Sequence, residues 1–461
     1  MMKLRYILIL CIVFILILVA GSLIDEDLTP ETRKALNRKL PTAPPDQNAY
    51  VGIAGFNAPE TEDFLEAGKK PLARVEAELG EWNAEDYPQE LSITESYKNS
   101  CFNPDEKACL TALENDIPRI ARLLEENAEL IRRYRILQDM PLYVNTGFTT
   151  AEDIPNFMQP LRISDLLSAV AFLDIKNGNA EKGLDFIEKD MAFYKRIIAG
   201  KDVYLIDVLL AGSRIRNYAL GVSRLIEAGV LDLQIHGNRL RRLIEPLPDP
   251  LSHMADIFEM ELAFGLRGVL GGFFPDPMFD GKVGRFVEKM LTPVAYKKNM
   301  TMNRFTTVME ELIRQTRTMG FSPNTAPHLA EMRKTNEMSI FNIPLLYRHN
   351  GIFFWKNYMG VASVHGGYAN YTWYVAAICD TTVFMHLARA QLELALSEYQ
   401  SGDPSQVLMR LGPETFNPYT GAPFSWDADK QVLWFERAGY NDKQRAEVGL
   451  PFSKISHEEA P

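Results

Sequence analysis

The sequence predicts an all-α protein: an irregular multi-helix body with helical hairpins, a small β-rich module at the C-terminus and a transmembrane anchor at the N-terminus. Three observations lead there. Apolar residues recur at three- and four-residue spacing through most of the chain. Turn and strand chemistry gathers after Gly402. Residues 6–24 carry no charge.

The N-terminal segment, residues 1–24, comes first. Lys3 and Arg5 precede the apolar run Tyr6–Ile24, and Asp25, Glu26 and Asp27 follow it. A helix of this length spans about 28 Å, close to the hydrocarbon thickness of a bilayer. The run is long for a cleaved signal peptide, so an uncleaved anchor is favoured. Cleavage after Ala20-Gly21-Ser22 is the alternative. Positive residues before the run and acidic ones after it place the N-terminus in the cytoplasm. The expectation is a single-pass protein of the inner (cytoplasmic) membrane, with its body in the periplasm. Asn299-Met-Thr301 and Asn370-Tyr-Thr372 would be glycosylation sequons in a eukaryote.

Residues 25–49 are polar and contain Pro41, Pro44 and Pro45, which predicts a tether. A helical domain over 50–402 follows. Between Leu110 and Tyr134 one apolar stripe runs at alternating three and four spacing, with Asn127 in its one polar position. Asp116 and Pro118 mark a helix start inside it. Residues 163–229 read as three helices, separated at Asn177-Gly178-Asn179 and at Gly200. The segment Ala180-Glu-Lys-Gly-Leu-Asp-Phe-Ile187 loosely resembles tetratricopeptide-repeat hairpins. That resemblance implies antiparallel helix packing, without a second copy at the family's period.

Pro246, Pro248 and Pro250 break the pattern, and a helix over 252–269 follows with Ser252 as its cap. Residues 271–281 hold three Gly, two Pro and three Phe. Phe273, Phe274 and Phe279 are therefore candidates for a lid, a partner contact or a membrane-touching finger, or for tucking into the core. Residues 301–318 read as helix and 319–367 as partly irregular. A long apolar helix from about Tyr368 to Tyr399 belongs at the centre of the fold. Asp380 and His386 argue against a second membrane span.

Of the four cysteines, Cys101 and Cys109 flank Asn103-Pro104-Asp105, a turn that can bring the sulfurs together. In an oxidising compartment they read as a disulfide. Cys379 sits in an apolar run as a small core residue. The net charge of -11 repels phosphate backbones, so nucleic acid is not an expected partner.

Residues 403–461 form the C-terminal module. Asn417-Pro-Tyr-Thr-Gly-Ala-Pro-Phe-Ser-Trp426 is turn-rich, and Lys430–Phe435 reads as a short strand. This stretch resembles a module of uncharacterised exported bacterial proteins, in which a long helix leads into a terminal β-hairpin. It is also loosely similar to the C-terminal end of major pseudopilins of type II secretion. The chain lacks that family's Asp-rich loop, having only Asp427 and Asp429 near the turn, so calcium ligands do not carry over.

No zinc spacing, nucleophile elbow, phosphate-binding loop or dinucleotide fingerprint is present. The best polar constellation is His253, Asp256, Glu259 and Glu261, with His253 and Asp256 on one helical face. It suits a metal or acid/base site, or a solvated helix face. Ser363-Val-His365-Gly-Gly367 is the other candidate, because Gly-Gly at a helix start exposes backbone N–H groups to an anion. No cofactor is expected. The leading functional expectation is a membrane-anchored interaction or assembly factor of the envelope, with an envelope protein as partner. The alternatives are an envelope hydrolase and a small-ligand or lipid-binding helical cup.

Overall fold

The computed structural model describes residues 25–39, 41–77, 87–106, 108–146, 155–200, 202–271, 296–336, 358–397, 399, 403–438 and 445–450. The predicted anchor (6–24) and Phe273, Phe274 and Phe279 lie outside them. Among the described residues no helix is long and apolar enough to cross a membrane.

The chain is mostly helical, with a small strand module at the C-terminus, as its sequence predicts. In chain order the principal helices are α1 (Pro30–Leu36), α2 (Ala49–Ala54), α3 (Phe64–Ala77), α4 (Cys109–Asn115), α5 (Ile117–Glu126), α6 (Ala128–Asp139), α7 (Met158–Lys176), α8 (Ala180–Ala199), α9 (Leu205–Glu227), α10 (Leu233–Leu243), α11 (Pro250–Gly271), α12 (Lys298–Met319), α13 (Thr325–Asn336), α14 (Tyr358–Leu396) and α15 (Ser405–Leu411). By contacts the described chain divides into two units. One holds parts of 1–39, 258–315 and 331–372; the other holds parts of 40–257, 316–330 and 373–461.

In the first unit the residues predicted as the start of the tether are bonded to α12. Asp25 accepts from the backbone N–H groups of Asn299 (2.7 Å) and Met300 (3.0 Å). Asn303 donates to the Asp27 carbonyl and accepts from the Thr29 amide. Thr32 is buried and bonds Thr306 at 2.9 Å. The Thr29 hydroxyl caps α1 and Pro30 opens it, which is why a helix forms there. Gly265 lets α11 approach α12: a Cβ there would stand 2.6 Å from the Phe305 ring. Phe258 of α11 packs edge-on to Tyr371 of α14 at 5.6 Å.

The second unit is built on the hairpins. Gly183 of α8 lies against α7, where a Cβ would run into the Ala171 carbonyl. Gly221 of α9 lies against Phe172 in the same way. The three helices of 163–229 thus exist and pack as neighbours. The stripe over 110–134 is divided among α4, α5 and α6, because Asp116 and Asn127 each end a helix. Asn127 is buried and bonds the Thr94 amide and the Leu123 carbonyl. A polar side chain in a core position thus breaks the helix and satisfies the chain beside it.

Cys101 and Cys109 form a disulfide. Cys379 is a buried free thiol, its pKa pushed up by burial, so that it stays protonated. The C-terminal half of α14 is buried on nearly all sides, from Val375 through Leu394, as its apolar sequence predicts. The helix begins ten residues before the predicted start, so Ser363–Gly367 is helix interior. Asp249, not Ser252, caps α11: its carboxylate accepts from the Ser252 amide at 3.3 Å and Pro250 takes the first position.

The strand module has two antiparallel sheets. β1 (Phe416–Asn417) pairs β2 (Ala422–Pro423), and β3 (Ser425–Asp427), β4 (Val432–Glu436) and β5 (Arg445–Gly449) pair in that order. Val432, Leu433 and Phe435 are buried. Gln391 of α14 donates to the Gly449 carbonyl (2.5 Å), and Asp380 accepts from the Tyr419 hydroxyl (2.8 Å) and the Ala438 amide (2.9 Å). Those polar residues on an apolar helix are where the module is fastened.

Candidate functional site

The densest buried polar cluster lies among α6, α7, α8 and α9. Asp190 is fully buried on the apolar stripe Ile187, Met191, Tyr194 of α8. A carboxylate there has to be bonded, since an unsatisfied buried charge costs several kcal/mol. Its Oδ1 accepts from Tyr134 (2.5 Å) and Gln138 (2.6 Å). Its Oδ2 accepts from Ser164 (2.6 Å) and from Tyr218. Tyr194 adds a hydroxyl contact to Tyr134 at 3.0 Å. Burial and the Asp190 charge push the Tyr134 and Tyr218 phenols well above their ordinary range. Each is therefore a hydrogen-bond donor that does not ionise.

A second buried carboxylate, Asp207, stands in the first turn of α9. Its Oδ2 accepts from the Tyr204 amide (3.0 Å) and from Asn145 (3.3 Å), which fixes the start of the helix. Burial pushes its pKa up to about 6, while the Tyr204 amide, Asn145 and Tyr143 oppose the rise. Its carboxylate and the buried Tyr143 hydroxyl act on one another. Both line a cavity of about 20 Å³ walled by Ile53, Phe157, Leu161, Phe193 and Leu210. That is room for about one water molecule. The arrangement can hold a proton on a buried acid and bond a water-sized guest.

The predicted constellation on α11 does not share one set of partners. His253 is half-buried near the Ile198 carbonyl, and burial lowers its pKa against the pull of Asp256. Asp256 pairs with Arg317 at 2.9 Å and Glu259 with Arg38 at 3.3 Å. Glu261 is buried. Among the described residues no three His, Cys, Asp or Glu side chains gather as a metal would require. His365 sits beyond the first turn of α14, where backbone N–H groups serve the helix.

Asp190, Asp207 and their tyrosines are not among the residues that the sequence motifs single out. A signal for Asp190 is nevertheless present in the chain: it interrupts the stripe Leu184, Ile187, Met191, Tyr194 at a core position. A charge on the apolar face of an amphipathic helix marks a buried network, because the fold must supply it with partners.

No family model, no curated protein and no solved structure matches this chain.

Proposed function

We propose that the protein is exported, held on the outer face of a membrane by residues 6–24, and acts there as an interaction or assembly factor. The observation that carries the reading is the Cys101–Cys109 disulfide. Such a bond persists in an oxidising compartment, which is where the apolar run would deliver the body. The interaction half draws on the surface. Ile235 is 70% exposed and Met409 56% exposed, on helices whose other faces are packed. The Asp190 carboxylate, by contrast, is fully used in holding α6, α7, α8 and α9 together.

Two measurements test this. In intact cells, Cys101 and Cys109 are expected to resist alkylation until a reductant is added, and the chain to stay in the membrane after alkaline extraction. Alkylation of both without reductant, in a chain found in the soluble fraction, would sink the location. Photocrosslinkers placed at Ile235 and Met409 in the same cells are expected to trap a discrete heavier band. Uncrosslinked chain alone, at both positions, would sink the interaction role.

A further inference from the structure

Three of the large apolar side chains exposed in the second unit stand beside one cavity. They are Leu142, Met158 and Ile206, of which Met158 is 51% exposed. Leu142 adjoins Tyr143, Met158 adjoins Phe157 and Ile206 adjoins Asp207, and those neighbours line the cavity of about 20 Å³. Helical spacing repeats the association. Met158 shares a face of α7 with Leu161, and Ile206 a face of α9 with Leu210, and both leucines are half-buried in the cavity wall. Arg214 of α9 donates to the Leu161 carbonyl at 2.6 Å, so α7 and α9 meet here. The polar side of the cavity is committed: Asp207 accepts from the Tyr204 amide and Asn145 and acts with Tyr143. The rest of its wall is aliphatic and aromatic carbon. Apolar side chains scattered singly on a surface are ordinary, but exposed ones gathered at the mouth of an apolar hole mark a binding site. A hole of that size admits the end of an alkyl chain.

Arg162 supplies the chemistry for a head group. It follows Leu161 and stands one turn from Met158 on the same face of α7. It is half-buried and makes no hydrogen bond or ion pair among the described residues. Asp165, the nearest carboxylate along α7, is taken by Arg214. Asp202, before α9, carries the opposing charge. The start of α7 adds the positive end of its dipole.

We propose that this mouth takes a single-chain amphiphile with an anionic head: the chain end in the cavity, the chain across Met158 and Ile206, and the head on Arg162. A free fatty acid and an acidic lysophospholipid share that chemistry. Burial of the chain supplies affinity, and the guanidinium supplies the preference for carboxylate or phosphate.

The test uses the full chain in detergent-free phosphatidylcholine nanodiscs and dodecanoic acid carrying a diazirine at its chain end. After irradiation, peptide mapping is expected to place the label at Phe157–Leu161 and Ile206–Ala211. The peptides of Ile235 and Met409, which are more exposed than Met158, should carry several-fold less. Unlabelled dodecanoate should compete, and dodecanol and dodecylamine several-fold less well. Lysophosphatidylglycerol that competes as well as dodecanoate identifies a phospholipid source; its failure to compete identifies the free acid. Leu210→Trp, which fills the mouth, should remove the label from both segments. Arg162→Gln should weaken dodecanoate competition several-fold and leave dodecanol unchanged. Arg162 holds no other group in place, so that variant should keep the fold and its disulfide. Label spread over Ile235 and Met409 in proportion to their exposure would overturn the site. Equal competition by acid, alcohol and amine would overturn the anionic head.

Discussion

Among single residues, the polar groups inside this protein are structural in the literal sense that chain segments end on them. Arg133 is fully buried. It donates to the carbonyls of Phe56, Ala58 and Pro59 at 2.7 to 2.9 Å and to Glu129. Arg133→Ala strands two buried carbonyls and a part-buried one, at about 1–3 kcal/mol for each group left unsatisfied with partial relief from water. A net loss of about 3–4 kcal/mol in urea unfolding is expected; a loss under about 1 kcal/mol would show that water replaces the guanidinium freely. Glu129 is held at about 2, first by Arg132. Its stabilisation is present above the ordinary glutamate range and is lost as pH falls toward that value. Asp207 runs the other way. Its folded-state pKa, about 6, lies above its ordinary 3.8. Its contribution is complete below pH 3.8 and is lost as pH rises through about 6, a swing of about 3 kcal/mol. Asp207→Asn keeps an acceptor for the Tyr204 amide and has no charge to bury. The variant should gain on the wild type between about pH 4 and pH 7; parallel stability curves over that window would refute the assignment.

Among elements, the hairpins depend on positions with no side chain. Gly183 sits in the first turn of α8, and an added Cβ there meets backbone, the Ala171 carbonyl, closer than van der Waals contact allows. Backbone cannot rotate away as a side chain can. Gly183→Ala gains about 1 kcal/mol in helix propensity and loses more to overpacking, which costs about 1–3 kcal/mol in a tight core. The expected net result is a destabilised protein, read as a lower urea midpoint at unchanged slope; a raised midpoint would mean that α7 and α8 separate without cost. The segment Ala180–Ile187 displays the hairpin in the sequence, because Asn177-Gly178-Asn179 stops one helix and the apolar spacing restarts the next. It does not display the close approach, since a glycine in a helix reads locally as a weak helix former. The start of α14 differs from the predicted one for a related reason. Gly366 and Gly367 look like a boundary, yet the helix runs through them from Tyr358.

For the whole molecule, the compartment and the covalent link belong together. The Cys101–Cys109 loop closes over a sequence separation of 8. By chain-entropy reckoning its loss costs about 2–3 kcal/mol. Cys101→Ser with Cys109→Ser should lower stability by that amount, and wild-type protein treated with reductant should match the double variant. Unchanged stability in both would separate the disulfide from folding.

Periodicity, turn chemistry and local cysteine spacing act over short chain distances, and they are enough to specify a large part of this protein. The helical class, the three-helix stretch over 163–229, the C-terminal strand module, the disulfide pair and the central place of the helix ending near Leu396 are all legible in the chain. What the isolated polar residues do is settled by tertiary packing. Asp25 meets Asn299 across more than two hundred residues, Arg133 meets Phe56 across 77 and Tyr134 meets Asp190 across 56. A one-dimensional pattern shows that such a group lies on an apolar face. Which donor comes to it depends on how distant helices pack, and packing is fixed by shape and by the requirement that every buried polar group find a partner.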